Sequence, residues 1–281
     1  MFIFPEKNNS LFEIFGKNKN IVIGMIHCKP LPGSPHYAGS MKEVIESALY
    51  DAKILVENGI DGLMIENAGD IPFLNPRDAN KSIETVAALS SIARLLKENF
   101  KVPIGCNVLA NAGLAAIAIA AANELNWIRV NQWANAYVAN EGFVEGEAGK
   151  ILRYRENLKA SSIKIFTDVL VKHGAHEITS DRSLEEQAKD LIWFDTDGII
   201  VTGQRTGDSP NIDELKRIRK ITNYPILVGS GVNSQNILEI FKYADAVIVG
   251  TSLKKDNKWW NPVDEKKVKE LIKKRNEIIN N

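Results

Sequence analysis

The chain is poor in cysteine, balanced in charge, and without an apolar run long enough to enter a membrane. Its 281 residues hold two cysteines, Cys28 and Cys106. Two thiols are too few for a disulfide framework, and both read as small core residues of a protein kept in a reducing compartment. The opening Met1-Phe2-Ile3-Phe4-Pro5 is apolar but lacks a basic flank and is too short for the core of a secretory leader. A cytoplasmic location is therefore expected. The longest apolar run, 114–122, is rich in alanine and reads as a buried helix. It falls well short of the ~20 residues that span a bilayer, so no membrane partner is expected. Lysine plus arginine equals aspartate plus glutamate, 35 each, which gives no push toward nucleic acid. The basic run Lys273-Lys274-Arg275 reads as the solvated end of a last helix. No H-x-E, H-E-x-x-H or C-x-x-C spacing occurs, so no metal site is expected.

What is present is a strand–helix alternation repeated eight times. Short β-branched runs lie at 21–27, 62–67, 103–108, 127–131, 163–169, 198–202, 226–229 and 246–250. Helical patterns separate them at 41–58, 82–99, 113–123, 145–158, 183–191, 212–221, 234–243 and 264–279, with apolar residues at three- and four-residue steps. Eight such units predict parallel strands with helices outside, as a single closed (β/α)8 barrel over 1–281 with its core at 20–272. An open sheet with a nucleotide would carry its glycine fingerprint after the first strand. Here that strand ends in Met25-Ile26-His27-Cys28-Lys29-Pro30, with no Gly-x-Gly. Residues 1–19 stand outside the repeat. Their 10–15 segment predicts a short helix, N-capped by Ser10, that closes the bottom of the barrel.

The glycines come at the other end of the chain. Val228-Gly229-Ser230-Gly231-Val232 and Val249-Gly250-Thr251-Ser252 each follow a β-branched run and precede a helical pattern. Loops after the last two strands of such barrels commonly bind phosphate through backbone N–H groups. Gly203, Gly229, Ser230, Gly231, Gly250 and Thr251 are accordingly expected to hold the phosphate of a small-molecule substrate, with Arg205 as a second clamp or a surface charge.

Strand parity then selects the polar groups that face the interior. Both faces of a barrel strand are covered, so a charge there belongs inside, near the strand end. Trp127, Arg129 and Asn131 share one face, as do Lys164, Phe166 and Asp168. His27, Glu66 and Asn107 occupy matching positions on the first three strands, and Thr202 is at a strand tip. Active sites of this fold lie at the C-terminal ends of strands. His27, Glu66, Asn107, Arg129, Asn131 and Asp168 are therefore the candidate catalytic set, with Asp168 as principal base and Glu66 or His27 as acid. Lys164 sits four residues deeper and reads as a structural counter-charge. The structural alternatives are a Glu66–Arg129 ion pair, asparagines that hydrogen-bond loop starts, a capping His27, and an Asp168 that neutralises Lys164.

Met25–Pro35, 61–73, Ile128-Arg129-Val130-Asn131, 168–173, Val201-Thr202-Gly203, the two glycine motifs, Lys254, and Asn261-Pro262-Val263-Asp264 together resemble the BtpA/SgcQ family. The resemblance runs in order from about residue 20 to 272. It implies a barrel related to ribulose-phosphate-binding enzymes. It also implies a role either in sugar utilisation or, as for one member, in photosystem I assembly or stability. Two departures stand out. Trp133 replaces a histidine common in the family, and Ala110-Asn111-Ala112 replaces Arg-Asn-Asp.

An enzyme acting on a phosphorylated sugar or nucleotide-like compound is the expected function, by isomerase, epimerase or lyase chemistry. Glycosyl or phosphoribosyl transfer or hydrolysis is the first alternative and a non-catalytic assembly factor the second. No cofactor is expected; a flavin would need a large apolar slot beside the same glycines. Homo-oligomerisation is left open. The long loops 29–40, 68–80 and 202–211 follow strands and are expected to fold over the mouth.

Overall fold

A computed structural model describes residues 7–203, 208 and 211–279. The strands are β1 (Ile21–His27), β2 (Gly62–Glu66), β3 (Ile104–Asn107), β4 (Trp127–Val130), β5 (Ala136–Ala139), β6 (Gly142–Glu145), β7 (Lys164–Val169), β8 (Gly198–Val201), β9 (Ile226–Val228) and β10 (Ala246–Val249). Eight of them close a barrel in the order β1-β2-β3-β4-β7-β8-β9-β10, with β10 back on β1 and all pairings parallel. The helices are α1 (Ser10–Phe15), α2 (Met41–Glu57), α3 (Pro76–Ala79), α4 (Ile83–Asn99), α5 (Gly113–Ala122), α6 (Ala148–Asn157), α7 (Leu184–Trp193), α8 (Ile212–Ile221), α9 (Ile237–Ile240) and α10 (Glu265–Ile279). The chain is a (β/α)8 barrel, as the alternation predicts.

Parity divides the core into two layers. Val22, Ile26, Leu63, Ile65, Ile128 and Val130 point outward and pack with helix residues such as Leu55, Leu89 and Ile117. Ile21, Ile23, Met64, Trp127, Phe166 and Leu227 fill the barrel. Both cysteines belong to the outer layer, where burial raises the Cys28 thiol to about 12.

The barrel bottom is closed by α1, whose Leu11, Ile14 and Phe15 join the inner cluster. Phe15 lies 5.5 Å from Trp127, ring centre to ring centre. The cap of this helix is Asn9, whose side chain accepts from the Phe12 N–H, and not Ser10 as expected. Ser10 is the first helical residue, and its hydroxyl donates to the Asp197 carbonyl at 2.7 Å. Lys164 ion-pairs with Glu13 of α1. It is thus a counter-charge in the lower barrel, but its partner is not Asp168. Arg275 also departs from expectation. It is buried and donates to Asp61 at 2.7 Å, tying α10 to the turn before β2 rather than ending in solvent.

Two elements differ from the expected pattern. A helix is expected from residue 145, but β5 and β6 form an antiparallel hairpin through Glu145, and α6 begins at Ala148. Tyr137 and Val144 of the hairpin bury against Val171 in a small cluster of their own. The helix expected at 234–243 shrinks to four residues. Asn233 and Asn236 capture the preceding N–H groups with their side chains, the local competition that draws asparagine out of helices. Among the described residues, no helix is long and apolar enough to cross a membrane.

Candidate active site

Strand register lines up the polar inner residues side by side. His27 is the cross-strand partner of Glu66, Glu66 of Asn107, and Asn107 of Arg129. The row runs along β1–β4 at their C-terminal ends. Above it opens a cavity of about 910 Å³ that His27, Glu66, Arg129 and Asn131 all line. That volume suits a small-molecule ligand.

Within the row the partners are specific. Asn107 donates its amide to Glu66 at 2.7 Å. Arg129 grips Asp168 with two parallel hydrogen bonds of 2.8 and 2.7 Å. The expected alternative, a Glu66–Arg129 pair, is replaced by this fork. Both side chains of the pair are almost wholly out of solvent, at 3% and 0% exposed. Asp168 faces inward as parity requires, yet Arg129 and Asn131 stand between it and the cavity. Of the two candidate carboxylates, Glu66 is the one that lines the cavity. Asn107 lies beneath it, and among the described residues the carbonyl oxygens of Asn107 and Asn131 and the hydroxyl of Thr202 are buried without a hydrogen-bond partner.

His27 is held by the backbone of a distant segment. Its Nδ1 lies 3.2 Å from the Trp259 carbonyl, and the Trp259 ring meets the imidazole edge-on. A carbonyl can only accept, so Nδ1 carries the proton and Nε2 is left as an acceptor. Burial, then the charges of Lys254, Lys172 and Arg129, push the imidazole down to about 3. His27 is therefore neutral at neutral pH.

The opposite wall is rich in glycine. Gly229, Ser230, Gly231, Gly250 and Thr251 line the same cavity. Gly231 has φ +68°, a left-handed conformation suited to glycine. Gly229 donates its N–H to Val201, so that group is already engaged. A Cβ on Gly229 would stand 2.7 Å from Ile200 and 3.3 Å from the Arg129 guanidinium. One on Gly250 would stand 2.7 Å from His27. These two glycines make room for side chains of the facing wall. The helical segments that follow are short, four residues in α9 and a single 3-10 turn at Thr251–Leu253. The two glycine loops are joined where Ser252 donates to the Val232 carbonyl at 2.5 Å. Gly203 is buried but does not line the cavity; its α-carbon packs against Asp208. Arg205 and most of its loop lie outside the described residues.

The loops after the strands are stitched to one another. Asn67 bridges Asp70 and both backbone groups of Leu109, and Asp70 accepts from the Leu31 N–H. Gly69 packs directly on the Pro30 backbone. Lys254 forms a buried ion pair with Asp51, which also accepts from the Val263 N–H at 2.8 Å. That pair fixes the turn after Gly250 to α2. Strand parity could not find the residues that lie beyond strand ends. Lys172, His173, Tyr137 and Trp259 line the cavity from loops and the hairpin. Of the two departures from the family pattern, Ala110 lines the cavity, whereas Trp133 is buried and donates its indole N–H to the Phe194 carbonyl. Among the described residues no cluster of three metal-ligating side chains occurs.

Comparison with known proteins agrees with this architecture. The model of the BtpA family matches residues 18–277. An uncharacterised protein of Caenorhabditis elegans, named as mitochondrial, is 35% identical over 269 residues, 95% of this chain and 96% of its own. The photosystem I biogenesis protein BtpA of Synechocystis is 35% identical over 264 residues, 93% of this chain and 90% of its own. Among solved structures, N-(5'-phosphoribosyl)anthranilate isomerase of Pyrococcus furiosus superposes with a TM-score of 0.55 at 13% identity, covering 92% of this chain and 98% of its own. That likeness shows the barrel fold. The chain belongs to the BtpA family.

Proposed function

We propose that this BtpA-family barrel is an enzyme that transforms a phosphorylated small molecule, of sugar or nucleotide type, by proton transfer. The observation that carries it is the division of one cavity between two walls. The glycine loops that carry Ser230, Gly231, Gly250 and Thr251 face a row of ionisable side chains, His27, Glu66 and Arg129. A phosphate on the first wall would present the rest of the ligand to the second. Glu66 then takes a proton from carbon or hydroxyl, and Nε2 of neutral His27 accepts or relays one. Arg129, held flat by Asp168, supplies fixed positive charge for a developing oxyanion. Asp168 thus serves as a positioning residue. Isomerase, epimerase and lyase steps need no more than this set. Glycosyl or phosphoribosyl transfer would use Glu66 to stabilise an oxocarbenium-like centre. An assembly role has its support in the likeness to the photosystem I biogenesis protein of Synechocystis.

Thermal shift separates these. Ribose 5-phosphate and related phosphates should raise the melting temperature, and their dephosphorylated forms should not. Glu66→Gln keeps the shape and the Asn107 contact. It should retain that shift while lowering turnover of an identified substrate by roughly two orders of magnitude. Equal shifts with and without the phosphate would remove the anion from the proposal.

A further inference from the structure

Lys172 lies four residues beyond Asp168, past the end of β7, and lines the cavity. Among the described residues it makes no hydrogen bond or ion pair, whereas the other cations near the cavity, Arg129 and Lys254, are each paired with an aspartate. Its loop is held firmly. The backbones of Val138 and Ala175 exchange hydrogen bonds of 3.1 and 2.8 Å, joining the loop to the hairpin. His176 stacks on Tyr137 at 5.3 Å and bonds the Val171 carbonyl at 2.8 Å. Leu170 and His173, on either side, adopt φ of +49° and +66°. Non-glycine residues rarely take that conformation, and it is kept where surrounding contacts fix it.

An unpaired amine on a fixed loop, facing the same cavity as the glycine wall, invites a carbonyl. We propose that Lys172 is a nucleophile that forms a Schiff base with the open-chain carbonyl of a phosphorylated aldehyde or ketone, a step that builds on the phosphate-binding function above. The amine first gives a proton to the Glu66 carboxylate. Its nitrogen then attacks the carbonyl carbon; the C–N bond forms and the C=O π pair moves to oxygen, which takes up a proton from the nitrogen. Glu66 returns its proton to the hydroxyl, the C–O bond breaks, and water leaves. Ammonium plus carbonyl has become iminium plus water, with no oxidant or reductant. The iminium draws electrons from an adjacent C–H or C–C bond, as isomerase and lyase chemistry requires.

The electrostatics agree. Burial and the Arg129 charge lower the Lys172 amine below the ordinary lysine range, opposed by Glu66 and Asp168. Lys164, by contrast, is engaged by Glu13 at the barrel bottom.

The test is reductive trapping of the full-length protein with glyceraldehyde 3-phosphate and cyanoborohydride near neutral pH, followed by peptide mapping. Depression of the amine enlarges its neutral fraction, and phosphate binding holds the aldehyde beside it. Lys172 should therefore be alkylated at least about tenfold faster than the surface lysines, and Lys172→Met should lose the fast adduct. Competing inorganic phosphate should slow it. Parallel trapping with phosphate-free glyceraldehyde separates the two ideas. Fast labelling of Lys172 by both aldehydes, with no effect of phosphate, keeps the nucleophile and removes the phosphate site. Labelling of Lys172 no faster than surface lysines by either aldehyde overturns the nucleophile, even if phosphate still binds. Mapping of the unmutated protein decides the matter should Lys172→Met fail to fold.

Discussion

The two walls of the cavity are built on opposite plans. The β1–β4 wall, with β7 behind it, is made of side chains that hold one another: Asn107 on Glu66 and Asp168 on Arg129. The β9–β10 wall is built on two glycine loops, and its glycines leave the space those side chains fill, Gly229 for Arg129 and Gly250 for His27. A ligand would be recognised on one wall by N–H groups that cannot titrate. On the other it would meet groups whose charge is set by neighbours. The lesson is that the glycines do more than admit an anion. They also let charged groups of the facing wall reach the cavity without clashing.

The comparison is broken most severely at Asp168. Asp168→Ala leaves the Arg129 guanidinium buried without its counter-charge, which should cost ~3–5 kcal/mol of stability, measured by denaturant unfolding. A loss below about 1 kcal/mol would mean that Arg129 finds solvent or another partner. The smaller change Asp168→Asn should raise the apparent mobility of Arg129 and weaken anion binding before it alters any base.

His27 gives the next effect, through pH. Its folded value of about 3 lies below the ordinary 6.5. The unfolded chain therefore binds more protons between those values, and stability is fully present above about 6.5 and lost as pH falls toward 3. The loss should be on the order of a few kcal/mol, reduced by the water that reaches the cavity. His27→Gln should flatten that acid limb relative to the parent protein. Identical acid limbs would show that the imidazole protonates freely in the folded state.

How far the sequence carries depends on the kind of contact. Alternation placed His27, Glu66, Arg129, Asn131 and Asp168 inside, because pleat and burial leave a charge on a barrel strand nowhere else to go. The glycine motifs located the second wall. Pairings did not follow, since parity cannot say whether Arg129 turns toward Glu66 or Asp168. The fork went to Asp168, which can meet both guanidinium nitrogens. Lys172 and Trp259 were invisible to parity because they lie in loops. The hairpin is not legible in the alternation because Ala136–Glu145 falls in the connection between the fourth strand run and the helical pattern that starts at Glu145. The capping role of Asn9 and the burial of Arg275 depend on tertiary neighbours that no local pattern contains.

Gly229→Val tests whether that glycine serves packing or the anion. The added Cβ would stand 2.7 Å from Ile200 in the inner core. Overpacking of this kind should cost ~1–3 kcal/mol in unfolding experiments, together with any loss of phosphate affinity. A stable variant that has lost only phosphate binding would restore a direct anion role to Gly229, despite its N–H bond to Val201.

The smallest effect sharpens the glycine wall itself. Ser252 lies just past Gly250 and Thr251, and its hydroxyl donates to Val232, just past Gly231. This bond is the cross-link between the two glycine loops, so it sets their spacing without being part of the lining's charge. Ser252→Ala removes one neutral hydrogen bond, worth about 1 kcal/mol of stability. If the loops act together on one phosphate, their spacing matters more than that figure suggests. Inorganic phosphate affinity should then fall about tenfold, while the chemistry of Glu66 and the trapping of Lys172 by excess aldehyde stay unchanged. If the stability loss appears with unaltered phosphate affinity, the loops bind independently and the anion rests on one of them. The side-chain wall offers no counterpart to this test. Its cross-links, Asn107–Glu66 and Arg129–Asp168, are made by the groups whose charge it presents, so none can be removed without changing that charge or its position.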